Sequence, residues 1–184
     1  DGRRIAFETA PDNNRPMMMG PLSRLRNLPG EVLGTGNETV LQFEPSGPGR
    51  APSVPQHLAI REPSDPSRAT RRRHFVLGMG MGGMGGGMGG MAAVINGQPF
   101  DMDRIDERVP LGETEIWEVS GEMMSHPFHI HGVHFEVLRR NGGKPSVRDA
   151  GLRDTVLVRE PVELLVRFTQ PATKAPFMYH CHIF

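Results

Sequence analysis

The sequence predicts an all-β fold, a Greek-key β-sandwich, for most of this chain. After residue 92 the apolar residues fall into short runs, and turn-forming residues separate one run from the next. No long stretch repeats its apolar residues with the period of about 3.6 that marks a helix. Seven candidate strands within roughly ninety residues are typical of a sandwich. They are residues 93–95, 113–119, 128–130, 134–139, 155–158, 163–169 and 177–182, with Asn141-Gly142-Gly143 as a hairpin turn.

The region before this part is predicted to hold two further pieces. Residues 5–8 and 39–43 have the alternation of strands, but two strands cannot bury a core alone. We therefore predict that residues 1–50 are the tail of a preceding domain. Residues 51–70 are rich in proline, so we expect an interdomain linker there. The C-terminal domain is then expected to cover residues 71–184.

A segment of unusual composition follows the first expected strand of that domain, residues 72–77. Residues 78–91 contain only nine glycines and five methionines, and glycine disfavours both helix and strand, so we predict a mobile loop. The methionines are Met79, Met81, Met84, Met88 and Met91. Thioethers are soft ligands that suit Cu(I). A flexible linker is the alternative interpretation, although a linker does not need methionines, which oxidise readily.

The overall composition excludes some classes of protein. Among the 184 residues, Lys+Arg and Asp+Glu are both 21, so there is no basic excess to bind nucleic acid. No apolar run approaches the roughly 18 residues of a membrane span. The single cysteine forms no internal disulfide and leaves the cellular compartment open.

That cysteine, Cys181, stands between His180 and His182. Alternate side chains of a strand point to opposite faces, so the thiolate would face one way and both imidazoles the other. One short strand could thus serve two metal sites. A lone cysteine is usually a small buried hydrophobe, but two neighbouring imidazoles are costly in a core unless each has a partner.

A second histidine cluster lies about fifty residues upstream, in His126-Pro127-Phe128-His129-Ile130-His131-Gly132. His129 and His131 would share one face of a strand, whereas His126 is expected on a turn, pointing elsewhere. Alone, a His-x-His pair is a weak signal, since strand histidines often pair across a sheet. Combined with Cys181, the cluster could supply the His₂Cys donor set of a blue-copper site.

The motifs HPFHIHG and HCHI resemble the paired copper signatures of the multicopper oxidases, the family of laccases, ascorbate oxidase and cuprous oxidases. The resemblance implies a last cupredoxin domain at the C-terminus and a fragment of another cupredoxin-like domain at residues 1–50. It also implies ligand roles. Type 1 copper would be held by His126 and Cys181, type 2 copper by His129, and the binuclear type 3 centre by His131, His180 and His182. Electrons would pass through Cys181 to a cluster that reduces O₂ to water.

The chain departs from the family pattern at both ends. The signature normally continues to a second type 1 histidine and an axial residue, whereas here it ends at Phe184. The two upstream His-x-His pairs of the family are not found in residues 1–125. We therefore expect the C-terminal part of a longer polypeptide, inactive as this chain alone, with the N-terminal cupredoxin domains of the same protein as its partner.

The order of the methionine segment, INGQPFDM and GEMMSHPFHIHG is similar to that of bacterial copper-efflux oxidases. This likeness implies a periplasmic or secreted cuprous oxidase, with Cu(I), and in addition phenols, as substrates. Matching positions for the substrate Cu(I) are Glu122, Met124 and Met79, with the other methionines of the segment. The family also has an aspartate in that segment, where this chain has only glycine and methionine.

Three further polar side chains lie just before the first histidine motif or between the two motifs. Glu122, four residues before His126, could hydrogen-bond its far imidazole nitrogen, or it could be a solvated turn carboxylate. Asp154 is expected to form a structural ion pair with Arg148 or Arg153. The family motif does not use His134, so we expect that His134 does not bind a metal.

Two other functions remain open on the sequence. In a cupin-like metal dioxygenase, His129 and His131 would bind metal together with Glu136, but Cys181 would have no purpose. A non-enzymatic copper-binding or cell-division-type protein would keep the fold without its metals. Degenerate relatives of that kind lack the ligands, whereas this chain keeps those it could hold.

Overall fold

The structure is a computed structural model that describes residues 4–8, 39–44, 53, 64–81 and 91–183. The chain divides into two compact units, Asp1–Arg61 and Glu62–Phe184. The predicted domain limits at residues 50 and 70 stay predictions. Among the described residues, no helix is long and apolar enough to cross a membrane.

The described part of the first unit is a two-stranded antiparallel sheet of β1 (Ile5–Glu8) and β2 (Thr39–Phe43). Both strands are confirmed with the predicted limits. The rings of Phe7 and Phe43 meet edge to face, with their centroids 5.7 Å apart. Every residue of the two strands is exposed within the chain, as expected of two strands that cannot bury a core by themselves.

Two sheets form the second unit, and the predicted β-sandwich is confirmed. The strands are β3 (Arg71–Met81), β4 (Met91–Ile95), β5 (Gln98–Pro99), β6 (Thr114–Gly121), β7 (His126–Ile130), β8 (Phe135–Arg140), β9 (Thr155–Val158), β10 (Val162–Arg167) and β11 (Tyr179–Cys181). The larger sheet has the order β5-β4-β3-β6-β10-β8, and the smaller has the order β11-β7-β9. Neighbouring strands are antiparallel except β3 and β6, which run parallel.

The hydrophobic core lies between the inward faces of the two sheets. Burial alternates along β6 and β7, because successive side chains of a strand point to opposite faces. Phe75 and Trp117 of the larger sheet pack with ring centroids 4.5 Å apart. Phe128 of the smaller sheet lies 6.4 Å from Phe75, and Tyr179 meets Phe75 edge to face at 5.1 Å. These rings join β11, which carries the cysteine, to both sheets.

The prediction of a loop over residues 78–91 is wrong at both ends. β3 continues through Met81, and β4 begins at Met91. A side chain at either of two glycines of β3 would be crowded. A Cβ on Gly80 would lie 3.0 Å from Val94 Cγ1, and one on Gly78 would lie 3.0 Å from Glu122 Oε2. Cross-strand pairing of the backbone therefore outweighs the low strand propensity of glycine. Residues 82–90, with Met84 and Met88, lie outside the described residues.

The turn predicted at residues 141–143 forms, but it does not lead into a second long strand. Asn141 and Gly142 have φ of 45° and 73°, the left-handed values that a tight type I′ turn requires. Only a single bridge between Arg140 and Gly143 follows. The chain then makes a short 3-10 turn at Val147–Asp149 before β9.

The connection from β8 to β9 is held by the Arg140–Asp149 ion pair. The Arg140 guanidinium donates to Asp149 through Nε at 2.9 Å and Nη2 at 2.8 Å. The Ser146 hydroxyl and amide also donate to Asp149, whose side chain is 6% exposed. The bonds from Arg140 lower the pKa of the Asp149 carboxyl to about 2.

We predict that Asp149→Asn lowers the free energy of unfolding by about 2 kcal/mol at pH 7. The folded pKa of Asp149 lies below its ordinary value of 3.8, so the carboxylate stabilises the fold above pH 4 and loses that effect as pH falls toward 2. Urea denaturation at pH 7 and below pH 4 measures the difference, which should shrink on acidification. Asp103→Asn, on an exposed loop, is the matched control. An undiminished difference at low pH would contradict the assignment.

Candidate metal centre

The two histidine motifs lie on neighbouring strands of the smaller sheet. β11 pairs antiparallel with β7, which places His180 opposite His129 and Cys181 opposite Phe128. The His182 amide extends this pairing by donating to the Pro127 carbonyl at 2.8 Å. Because side chains alternate, Cys181 and Phe128 face the core, while the imidazoles of His129 and His180 face outward.

On the inner face, the structure brings Cys181 and His126 together. Cys181 Sγ lies 3.7 Å from His126 Nδ1, and both residues are buried. His126 was expected on a turn, which is wrong because it is the first residue of β7. Because His126 and His129 are three residues apart on the same strand, their side chains point to opposite faces. Burial raises the pKa of the Cys181 thiol, and the Ile183 amide opposes this effect in part.

The Glu122 main chain orients the His126 ring. His126 Nε2 lies 2.9 Å from the Glu122 carbonyl oxygen and donates to it, so that Nδ1 is directed toward Cys181 Sγ. The sequence pointed to the correct residue for this role, but the contacting atom belongs to the backbone. The Glu122 carboxylate instead lies against Gly78 on β3.

Gly121 provides the space in which the His126 ring lies, a role that sequence reasoning missed. A Cβ at Gly121 would lie 2.3 Å from His126 Cδ2 and 3.1 Å from Nε2. Such a contact is far below van der Waals distance, so any side chain here would displace the imidazole. The only signal in the sequence was a glycine at the end of an apolar strand.

On the outer face, four imidazoles converge. One ring nitrogen each of His129, His180 and His182 lies within 4.8 Å of the others. His131 joins them, with its Nε2 3.0 Å from His180 Nε2 and its ring centroid 4.7 Å from that of His129. Burial, together with the neighbouring imidazoles of His129, His180 and His182, lowers the pKa of His131. Imidazole nitrogens that converge in this way are suited to bind a soft or borderline metal ion.

Main-chain acceptors fix two of these rings. His180 Nδ1 donates to the Cys181 carbonyl at 3.2 Å, and His129 Nδ1 donates to the Asp154 carbonyl at 2.8 Å. In both rings Nε2 is therefore the nitrogen available to a ligand. The expected ion pair of Asp154 with Arg148 or Arg153 is not among the ion pairs of the described residues. The Asp154 carboxylate accepts from the Thr155 hydroxyl at 3.0 Å instead.

The family assignment follows from comparison with known sequences. The profile of the multicopper oxidase family matches residues 50–184. The chain belongs to the multicopper oxidase family. The family takes its name from copper-binding oxidoreductases, and the resemblance seen in the sequence motifs is confirmed. The chain spans about a third of the length of the curated relatives it matches over most of its own length.

Solved multicopper oxidase structures share this fold. The laccase-like multicopper oxidase CueO of Ochrobactrum sp. is 34% identical with a TM-score of 0.66, over 82% of this chain and 36% of that one. A metallo-oxidase of Campylobacter jejuni is 27% identical with a TM-score of 0.65, over 98% of this chain and 38% of that one.

Curated relatives carry two kinds of name. The cell division protein FtsP of Pectobacterium atrosepticum is 36% identical over 167 residues, which are 88% of this chain and 32% of that protein. The multicopper oxidase mco of Staphylococcus haemolyticus is 38% identical over 96 residues, 48% of this chain and 21% of that protein.

The other residues singled out in the sequence lie at different places in the second unit. The Glu122 amide donates to the Leu77 carbonyl at 2.9 Å, which joins the loop before β7 to the strand that carries Met79. Met124 is 46% exposed. His134 is exposed, and Glu136 lies on β8 of the other sheet, where it accepts from Ser64. The cupin-like set of His129, His131 and Glu136 is therefore not assembled.

We predict that Gly121→Ala displaces the His126 ring from Cys181 and lowers the free energy of unfolding by about 1–3 kcal/mol, the usual cost of overpacking. Chemical denaturation measures the loss. Chemical-shift changes at His126 and Cys181 report the movement of the ring. Gly143→Ala is the matched control, because its Cβ would meet only Arg140 O at 3.4 Å. Equal effects of the two substitutions would contradict the close contact.

Proposed function

We propose that this chain is the copper-binding C-terminal part of an oxidase that couples oxidation of Cu(I), and of phenols, to reduction of O₂ to water. The observation that carries the proposal is the division of donors across one short strand. Cys181 faces His126 on the inner side, while His180 and His182 face His129 and His131 on the outer side.

The inner pair fits a type 1 copper. A thiolate and an imidazole Nδ1 are donors that copper prefers, and they face each other at 3.7 Å without rearrangement of the fold. Apolar packing around Cys181 excludes water and lowers the local dielectric constant, which tunes a bound metal. Metal binding must displace the thiol proton that burial favours.

The outer imidazoles fit the type 2 and type 3 coppers, with His129 for the former and His131, His180 and His182 for the latter. Copper, when bound, would supply one-electron redox chemistry and the binding of O₂. The chain itself holds the donors in place. The backbone of β11 joins the thiol and the imidazoles of residues 180 and 182 through adjacent peptide units.

The outer face also supports a role for a further domain. His182 is exposed, and Leu157, which pairs with Pro127 on the same face, is 37% exposed within the chain. The imidazoles of this face would therefore all lie on one side of a bound metal ion. We propose that the N-terminal cupredoxin domains of the same protein cover this face and supply the remaining ligands.

Cu(I) is the proposed substrate because Met79 and Met124 lie close along the chain to residues around His126. Met79 follows Gly78, against which the Glu122 carboxylate lies, and Met124 is exposed two residues before His126. A carboxylate and thioethers near a buried imidazole would attract and hold a soft cation. A cuprous oxidase of this kind would act in the periplasm or outside the cell.

Similarity to FtsP favours a second candidate, a role in cell division that does not require oxidase chemistry. A protein of that kind has no need for a buried thiol beside an imidazole or for four converging imidazoles. Copper binding therefore separates the two functions.

We predict that the full-length protein, loaded with copper, absorbs intensely at about 600 nm, because a copper–thiolate bond produces a band there. Cys181→Ser should abolish this band, because it removes the thiolate, while copper still binds the imidazoles of the outer face. His134→Ala, at an exposed histidine outside the cluster, serves as the control and should keep the band. Loaded wild-type protein without the band would exclude the oxidase and favour the cell-division role.

The methionine segment gives a second test. We predict that replacing Met79, Met81, Met84, Met88 and Met91 by Ser lowers kcat/KM for Cu(I) at least about tenfold, the effect of losing roughly 1.4 kcal/mol of binding. Phenol oxidation should change little, since phenols do not need thioether ligands. Met102→Ser, at a methionine that is 81% exposed, is the control. Equal losses for both substrates would rule out a Cu(I) site in this segment.

A further inference from the structure

We propose that Thr155, held by Asp154, is a positioning residue that fixes the His129 ring so that Nε2 faces the metal. The inference rests on the proposed function for what His129 binds. The hydrogen bonds themselves belong to the fold of this chain and are independent of any metal.

The hydrogen bonds of the Thr155 hydroxyl have a defined direction. Thr155 lies opposite His129 in the pairing of β9 with β7, and its Oγ1 is 3.0 Å from His129 Nδ1. A threonine hydroxyl has one proton, and that proton is donated to Asp154 Oδ1 at 3.0 Å. The hydroxyl oxygen must therefore accept from His129, which places the proton of the ring on Nδ1.

A second acceptor strengthens this assignment. His129 Nδ1 also lies 2.8 Å from the Asp154 carbonyl oxygen, so its proton is shared between a carbonyl and a hydroxyl. The Nδ1 proton of His180 goes to a main-chain acceptor, the Cys181 carbonyl, while His180 Nε2 lies 3.0 Å from His131 Nε2. His129 Nδ1 therefore differs in having a side-chain acceptor as well, the Thr155 hydroxyl, which a substitution can remove.

The charge of Asp154 is the third part of the arrangement. Its carboxylate lies 4.0 Å from His129 Nδ1 and is 57% exposed, so it acts mainly through the hydroxyl between them. A hydroxyl that donates to a carboxylate becomes a better acceptor. The imidazole that donates to it becomes a more basic ligand at Nε2. The last imidazole torsion is broad and roughly two-fold, so these acceptors also select one of the two ring orientations.

Nitrogen NMR of the metal-free protein with ¹⁵N-labelled histidine tests the hydrogen bonds directly. We expect His129 in the Nδ1–H tautomer. In Thr155→Val, solvent exchange of that proton should rise about fivefold, the equivalent of one ordinary hydrogen bond. Thr155→Ser, which keeps the hydroxyl, should restore the slow exchange. Thr114→Val, on β6 of the other sheet, is the matched control. An Nε2–H tautomer in the wild type, or unchanged exchange in Thr155→Val, would overturn the inference.

Copper binding by the full-length protein tests the consequence. Thr155→Val should weaken Cu(II) binding at the outer-face imidazoles about tenfold and change the hyperfine coupling of the type 2 signal, at an unchanged unfolding midpoint. Asp154→Asn, which keeps an acceptor but removes the charge, should have the smaller effect. A larger effect of Asp154→Asn, or a loss of affinity that follows a loss of stability, would overturn the positioning role. Wild-type protein that binds no copper would defeat the proposed function, whereas the NMR measurement would still decide the role of Thr155.

Discussion

The antiparallel pairing of β11 with β7 is the constraint on which the site depends. It sets His180 opposite His129 and Cys181 opposite Phe128. Since side chains alternate along each strand, one register decides both faces at once. A slip by one residue would turn the thiol outward and the imidazoles into the core. The aromatic packing of Tyr179 on Phe75 and Trp117 opposes such a slip, because it anchors β11 to the larger sheet.

The two faces of this small sheet have opposite electrostatic character. On the inner face, burial favours the neutral thiol of Cys181 until a metal replaces its proton. On the outer face, burial and then the neighbouring imidazoles lower the pKa of His131. The hydrogen bonds from Nδ1 of His129 and His180 to carbonyls leave Nε2 of each ring without a proton.

Sequence patterns predicted the sandwich and the histidine clusters because both follow from the two-residue period of strands. The separation of Cys181 from its neighbouring imidazoles is one example. Sequence patterns did not predict the features that depend on contacts between distant segments of the chain. Glycine propensity argued for a loop at residues 78–81, but backbone pairing with β4 keeps them in a strand. The bond from His126 goes to a main-chain oxygen of Glu122, which no side-chain pattern reveals. The contact of Thr155 with His129 depends on the register of β9, which the sequence does not encode locally.

The hairpin of β3 and β4 has a consequence for how this protein can diversify. Its register ends with Met81 opposite Met91, and both strands are fixed to the sheet below that pair. Insertion or deletion between these two residues leaves the sheet register intact. Doubling the length of a flexible connection costs only about 0.6 kcal/mol of closure entropy. The number of methionines in the sequence between Met81 and Met91 can therefore change at little cost to the register of the sheet.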